Sequence, residues 1–244
     1  MKILSEYSRK FIRLKGSAKT DWINRILNVY KPTGISSYDV VRRVKHFLKI
    51  RKVGHAGTLD PFAEGVLLIL IGQATKQMQR LLTLPKSYEA ILDLGEATDT
   101  GDNTAPVIRT ETIPNITIEK LTEVAKLFSG TIEQIPPAYS AKKINGRPAY
   151  KYARQGLKVE LKPKKIEIYS LVLDLIDPKT ILIKVTCSSG TYIRKLGEDL
   201  ARALDTEGHL TALKRTRIGN YIWQEAIPFD ELGNYLTTAA DGVA

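Results

Sequence analysis

The stretch Gly54-His55-Ala56-Gly57-Thr58-Leu59-Asp60-Pro61, followed by Gly65 and then Val66-Leu67-Leu68-Ile69-Leu70-Ile71-Gly72, constrains this chain more than any other part of it. A short unbroken apolar run closed by glycines predicts a strand buried on both faces. Ahead of it, two glycines open backbone conformations closed to other residues. Pro61 fixes its own φ and biases Asp60 toward an extended conformation. The Asp60 side chain is therefore aimed, and the strand that follows anchors it to core. An isolated Asp-Pro is more often only a turn or a cap; the neighbours here argue for a carboxylate held still.

The 244 residues fit one large domain or two small ones, and 43% apolar content is ample for a core. Lys and Arg outnumber Asp and Glu by 37 to 26, a formal charge of +11, which favours a polyanionic partner. No apolar run approaches the roughly 20 residues that span a bilayer, and no signal-peptide pattern opens the chain. Nucleic acid is thus expected as partner, and no membrane. The lone Cys187 excludes an internal disulfide framework, and His46, His55 and His209 have no metal-ligand spacing. The expectation is a reducing cytoplasm, no metal and no cofactor.

Residues 1–25 carry Lys2, Arg9, Lys10, Arg13, Lys15, Lys19 and Arg25 among weakly alternating apolar residues, which suits a basic arm or an added edge strand. Asn28-Val29-Tyr30-Lys31-Pro32-Thr33-Gly34-Ile35-Ser36-Ser37 predicts a strand, a turn and a helix start, with Ser36 or Ser37 as N-cap. Val40, Val41, Val44, Phe47 and Leu48 give that helix one apolar stripe, and Arg42, Arg43, Lys45, Lys49, Arg51 and Lys52 bring positive charge toward the Asp60 loop. After the buried strand, Gln73-Ala74-Thr75-Lys76 opens a helix. Lys76 suits packing or phosphate contact equally.

Ser87 to Gly95 alternates as a strand with Tyr88, Ala90, Leu92 and Leu94 on one face. The acidic, turn-forming Glu96 to Asp102 reads as a loop-stabilising network of Asx and Thr hydrogen bonds. Residues 117–129 predict an amphipathic helix capped by Thr117 and ended by Gly130. The segment Gln134 to Lys143, with Asn145-Gly146-Arg147 and Ala149 to Gly156, interleaves basic residues with tyrosines. Splayed RNA needs both, phosphates on one kind and bases on the other. Ile166 to Leu173 and Thr180 to Cys187 predict an antiparallel hairpin around Asp177-Pro178-Lys179. Beyond it, Ser189 or Thr191 can cap a helix lined by Ile193, Leu196, Gly197, Leu200 and Leu204. A last basic group runs from Leu210 to Gly219. Strands and helices mixed without a regular βαβ repeat predict α+β with a mostly antiparallel sheet.

Several of these stretches, over about residues 26–232, resemble the TruB family of tRNA pseudouridine synthases. They are Lys31 to Ser37, Gly54 to Pro61, Gly72 to Lys76, the Tyr88 strand, Thr98 to Asp102, Ile135 to Lys143, Cys187 to Arg194 and Leu213 to Gly219. The resemblance implies the pseudouridine synthase fold, a mixed, mostly antiparallel sheet flanked by helices, with a catalytic domain at 26–232 and an RNA-gripping insertion at 133–165. Residues 1–25 would be an extension and 233–244 a tail. It implies Asp60 as catalytic residue paired with Arg194, with Tyr88 against the target uracil and Tyr192 and Leu213 holding the ring. His55 is implied as an RNA contact where the base leaves its stack. Lys31, Lys76, Tyr139, Lys142, Lys143, Arg147 and Arg154 complete the expected RNA-binding set. Relatives usually carry a C-terminal RNA-binding PUA domain, and the expectation here is a catalytic domain without it.

The implied reaction isomerises the T-loop uridine of tRNA by base flipping, cleavage of the C1′–N1 bond, rotation and rejoining through C5. Asp60 either attacks C1′ or removes the C2′ proton; the residues leave both open. The expected partner is the T arm of tRNA, with the protein as a monomer. Three alternatives stand beside this reading: a guide-dependent synthase of ribosomal RNA, an RNA-binding or tRNA-folding protein with secondary chemistry, and a nucleic-acid-binding module of an unrelated fold, which composition alone permits.

Overall fold

A computed structural model describes residues 22, 24–140, 142–144, 146–157 and 160–238. Along the chain run β1 (Ile26–Lys31), α1 (Ser37–Leu48), β2 (Val53–Ala56), β3 (Glu64–Ile71), a 3₁₀ turn (Gly72–Gln77), α2 (Met78–Thr83), β4 (Lys86–Leu94), β5 (Glu96–Thr98) and β6 (Val107–Thr110). Then come α3 (Ile118–Leu127), β7 (Gly130–Gln134), β8 (Lys143–Ile144), β9 (Arg147–Pro148), α4 (Ala149–Ala153), β10 (Lys164–Asp177) and β11 (Thr180–Cys187). The chain closes with α5 (Ile193–Ala203), β12 (Gly208–Ile218), β13 (Tyr221–Ile222), β14 (Ile227–Pro228) and α6 (Leu232–Thr238). The main sheet has the order β14-β1-β3-β12-β4-β11-β10-β7, with β2 on β3 and β13 on β12. Its pairings are antiparallel except β1 with β14 and β12 with β3, so the sheet is mixed and mostly antiparallel, as expected.

The glycine-bounded run is β3, and every residue from Val66 to Ile71 is fully buried. Leu67, Ile69 and Ile71 pack with Val40, Val41 and Val44 of α1 and with Leu232 and Leu236 of α6. Val66, Leu68 and Leu70 point to the other face, against Leu81 of α2 and Ile218 of β12. A third cluster, between the β4–β11–β10 region and helices α3 and α5, takes the alternate residues Tyr88, Ala90, Leu92 and Leu94.

One irregularity in this sheet positions the site. β3 is flanked by β1 along one edge, while its other edge is shared. β12 pairs with Glu64 and Gly65, and β2 pairs with Leu68 to Ile71. Residues 57–63 connect β2 to β3 at the place where β12 and β2 part. A split of this kind leaves backbone groups without ladder partners, which must be satisfied otherwise.

Ser36 caps α1 through a reciprocal capping box with Asp39. Thr117 caps α3 as expected. The expected cap of α5 is corrected: Tyr192 is the N-cap residue and makes no side-chain cap bond, while Thr191 Oγ1 donates back to the Ser188 carbonyl. The boundaries are corrected too. Trp22 and Leu236 belong to the α1 core, so the folded unit reaches beyond residues 26–232 at both ends. The remaining extension, residues 1–21 and 23, and the end of the tail, 239–244, lie outside the described residues. Between β7 and β10 the chain leaves the sheet to form the β8–β9 pair and α4, over the stretch expected as an insertion.

Candidate active site

Asp60 lies at the end of the split, and its loop is braced from several sides. Ser37 Oγ donates to the Leu59 carbonyl at 2.9 Å and accepts from the Leu59 N–H at 2.8 Å, pinning the loop to the first residue of α1. The Gly34 N–H donates to the Pro61 carbonyl. Lys31 is fully buried, and its ammonium donates to the carbonyls of Pro32 and Ile35, both at 2.8 Å, which holds the turn that carries Gly34. Burial brings the Lys31 amine down to about 8, against the pull of nearby Asp60.

Arg215 closes the split itself. It leaves β12, where it is 1% exposed, and donates through Nε to the Val66 carbonyl, through Nη1 to that of Thr58 and through Nη2 to that of Gly57. Val66 is the β3 residue just beyond the β12 pairing and short of the β2 pairing, so on that edge of β3 no strand residue is paired with it. A planar fork of five donors suits three carbonyls from two segments; an ammonium does not.

Across the cleft, Arg194 on the first turn of α5 is buried, and its Nε lies 2.9 Å from Asp60 Oδ2. Its Nη1 donates to the Thr100 carbonyl and its Nη2 to that of Tyr139. Asp102 Oδ2 is 3.6 Å from the same Nε. Asp102 is buried, and its Oδ1 accepts from the Thr100 hydroxyl and the Thr104 N–H and hydroxyl, so the acidic loop is the expected Asx and Thr network. It does more than hold itself: it supplies a second carboxylate and a carbonyl to Arg194. Asp60 keeps partial exposure, with its side chain 39% accessible.

The resulting cleft encloses about 610 Å³. Its walls include Gly57, Asp60, Lys86, Tyr88, Tyr192, Arg194, Leu213 and Arg215. Tyr88 and Leu213 are nearly buried, and burial raises the hydroxyl pKa of both Tyr88 and Tyr192, so each phenol stays protonated at neutral pH. Gln134, at the end of β7, clamps Tyr192 at both backbone groups: it accepts from the N–H at 2.8 Å and donates to the carbonyl at 3.1 Å. One carboxylate tied to a buried guanidinium beside an aromatic slot suits chemistry on a flat ring drawn into the cleft.

A family model described as "TruB family pseudouridylate synthase (N terminal domain)" matches residues 45–193, which carry Asp60, Tyr88, Tyr192 and, one residue beyond, Arg194. The chain belongs to the TruB family.

Among its relatives in that family, a protein named tRNA pseudouridine synthase B of Caldanaerobacter subterraneus subsp. tengcongensis is 42% identical over 86% of this chain and 74% of its own. The protein of the same name from Bordetella avium is 43% identical over 86% of this chain and 87% of its own. A chain in the crystal structure of a Cbf5-Nop10-Gar1 complex is 28% identical, with a TM-score of 0.72 over 93% of this chain and 59% of that one. The TruB-family fold expected from the sequence is therefore the observed one.

The structure brings Asp60, Arg194, Tyr88, Tyr192 and Leu213 together at one cleft. Lys142 also lines it, at the base of the insertion. Tyr139 is half-buried and contributes its carbonyl to Arg194. Lys76, Lys143 and Arg154 are exposed outside the cleft lining, and Arg147 and Arg154 stack on Tyr152 and Tyr150. His55 is half-buried on β2, and its Nδ1 has no hydrogen-bond partner among the described residues. Burial and the nearby Arg215 charge lower its pKa and favour the neutral ring. Lys31 is the correction among the expected RNA contacts: with no accessible surface it braces the Asp60 loop from inside. Arg215, Lys86 and Gln134 were missed. Alternation along β12 carries a signal for Arg215, because it stands two residues from Leu213 and so shares its face.

Proposed function

We propose that this chain isomerises the T-loop uridine of tRNA to pseudouridine without a guide RNA, with Asp60 as the catalytic residue. The observation that carries the reading is the Asp60–Arg194 pair at 2.9 Å, set on the wall of a cleft that Tyr88, Tyr192 and Leu213 shape for a flat base. The names of its TruB-family relatives, which specify tRNA, support the substrate class. A net charge of +11 suits a polyphosphate partner.

The uridine is flipped out of the folded T loop, at a cost of a few kcal/mol that stacking and phosphate contacts offset. Tyr88 meets the base, and Tyr192 and Leu213 confine it. Arg194 holds Asp60 Oδ2, which leaves Oδ1 directed to the ribose. From there it attacks C1′ or takes the C2′ proton as the C1′–N1 bond breaks. The uracil turns within the cleft, C5 bonds to C1′, and C5 then loses its proton. The basic, tyrosine-rich segment from Tyr139 to Arg154 grips the surrounding RNA.

The test is pseudouridine formation in an unmodified tRNA transcript and in a T-arm hairpin, by the wild type and by Asp60→Asn, with no guide RNA present. Product at the T-loop uridine with the wild type alone is the expected result. Absence of product from both, with RNA binding retained, overturns the stand-alone reading and points to a guided enzyme or an RNA-folding factor.

A further inference from the structure

Glycosidic cleavage makes a demand that Asp60 and Arg194 do not meet. When C1′–N1 breaks heterolytically, the bonding electron pair leaves with the base, and the uracil anion spreads that charge over N1, O2 and O4. Either role of Asp60 produces this anion. The base carries it through its rotation until C5 bonds to C1′; C5 then gives up its proton and N1 acquires one, so the reaction balances as an isomerisation. A site that lowers this barrier places fixed positive charge beside the base.

Arg194 is committed elsewhere, its nitrogens engaged by Asp60, Thr100 and Tyr139. Lys142 and Lys164 also line the cleft; Lys164 is exposed and Lys142 half-exposed, so water weakens their fields. Lys86 and Arg215 differ. They are 5% and 1% exposed, and neither has a carboxylate within 4.0 Å among the described residues. Lys86 opens β4 two residues before Tyr88, so its stem runs on the same face as that ring. Its ammonium donates to the carbonyls of Leu82 and Leu84, both at 2.6 Å, and a third N–H remains. Two uncompensated cations buried beside an aromatic slot are costly unless something anionic visits them.

We propose that Lys86 is a catalytic residue whose ammonium stabilises the departing uracil anion, with Arg215 as the positioning residue that fixes the adjoining loop through the Gly57 and Thr58 carbonyls. This inference rests on the reaction proposed above. The plainer role for Lys86, closing the carbonyl end of α2, is separable by experiment. Lys86→Gln keeps an N–H donor for those carbonyls and removes the charge; Lys86→Arg keeps both.

Single-turnover rates are measured on a T-arm hairpin carrying uridine or 5-fluorouridine at the target. Fluorine stabilises the uracil anion, so cleavage of that substrate depends less on a protein cation. Lys86→Gln is expected to slow the uridine reaction by about 10²–10³-fold, the typical effect of removing one preorganised charge-stabilising donor, with RNA affinity and thermal stability near wild type. Its penalty on consumption of the 5-fluoro nucleotide is expected to be at least about tenfold smaller, and Lys86→Arg to recover most of the uridine rate. An equal penalty on both substrates, or a wild-type rate in Lys86→Gln, overturns the proposal. An inactive wild type would instead sink the functional reading itself, so the two failures are distinct.

Discussion

Arg194 Nε lies 2.9 Å from Asp60 Oδ2 while Arg194 Nη2 donates to the Tyr139 carbonyl, so one buried guanidinium joins the Asp60 carboxylate to the start of the basic insertion. Four acceptors from three separate segments converge on this group: Asp60, Thr100, Asp102 and Tyr139. A lysine reaches one or two of them as a point charge and leaves the rest buried and unpaired. Arg194→Lys is therefore expected to lower the single-turnover rate by about 10²–10³-fold, the range for losing a preorganised group at a reacting centre. RNA affinity should change little, because the guanidinium is buried. Filter binding beside rapid-quench kinetics checks this, and a rate within about threefold of wild type would refute it.

Gly65 stands where β12 closes on β3, with φ +109° and the Arg215 backbone against it. A Cβ built there would lie 2.2 Å from the Arg215 carbonyl oxygen. Neither backbone can yield without opening the split that Arg215 spans. Gly65→Ala is expected to cost about 2–5 kcal/mol from backbone strain and overpacking together. Urea denaturation reads the loss directly, and a midpoint equal to that of the wild type would contradict it.

Gly65 also shows which parts of this molecule were legible in the sequence. Its bracketing role and the burial of Val66 to Ile71 follow from local chemistry, an apolar run with no polar face. The Asp60–Arg194 pair spans 134 positions and carries no local signal; it was reached through resemblance, and the structure supplies its geometry. Arg215 showed only its alternation with Leu213 along the strand, not what it holds. Its acceptors are carbonyls at a split in the sheet, and a sequence does not display where a sheet splits. Lys31 misled because a lysine beside Pro-x-Gly in a basic chain is ordinarily solvated, whereas here its two acceptors lie within the same turn.

Stability should rise as pH passes upward from about 8. Burial brings the amines of Lys31 and Lys86 down to about 8 from the ordinary 10.5; for Lys86 the Arg215 charge adds to the effect, and nearby Cys187 opposes it. Between those values the unfolded chain binds more protons than the native state, so unfolding becomes less favourable with increasing pH. Cys187, raised by burial from 9.0 to about 11, acts in the opposite sense once the unfolded thiol ionises. The clean window is thus from about pH 8 to about 9. The urea midpoint should increase across it in the wild type and increase less in Lys31→Met. A flat or falling midpoint in the wild type would show that the two amines are not held in this state.

Lys31 and Lys143 are both lysines of the basic complement, and their surroundings assign them different work. Lys143 is exposed on β8, where it is free to meet phosphate, and Arg154 is exposed after α4. Each such contact releases condensed counterions, so Lys143→Ala and Arg154→Ala should weaken tRNA binding and each lower the slope of log affinity against log salt by about 1. Lys31→Met should leave that slope unchanged, because the ammonium never reaches solvent. It should instead lose about 1–3 kcal/mol of stability from the unpaired carbonyls of Pro32 and Ile35. It should slow catalysis as well, since the Gly34 N–H carried by that turn holds the Pro61 carbonyl next to Asp60. Affinity titrations over a range of salt, run beside denaturation, separate the two roles. A reduced slope in Lys31→Met with unchanged stability would return Lys31 to the RNA-facing surface.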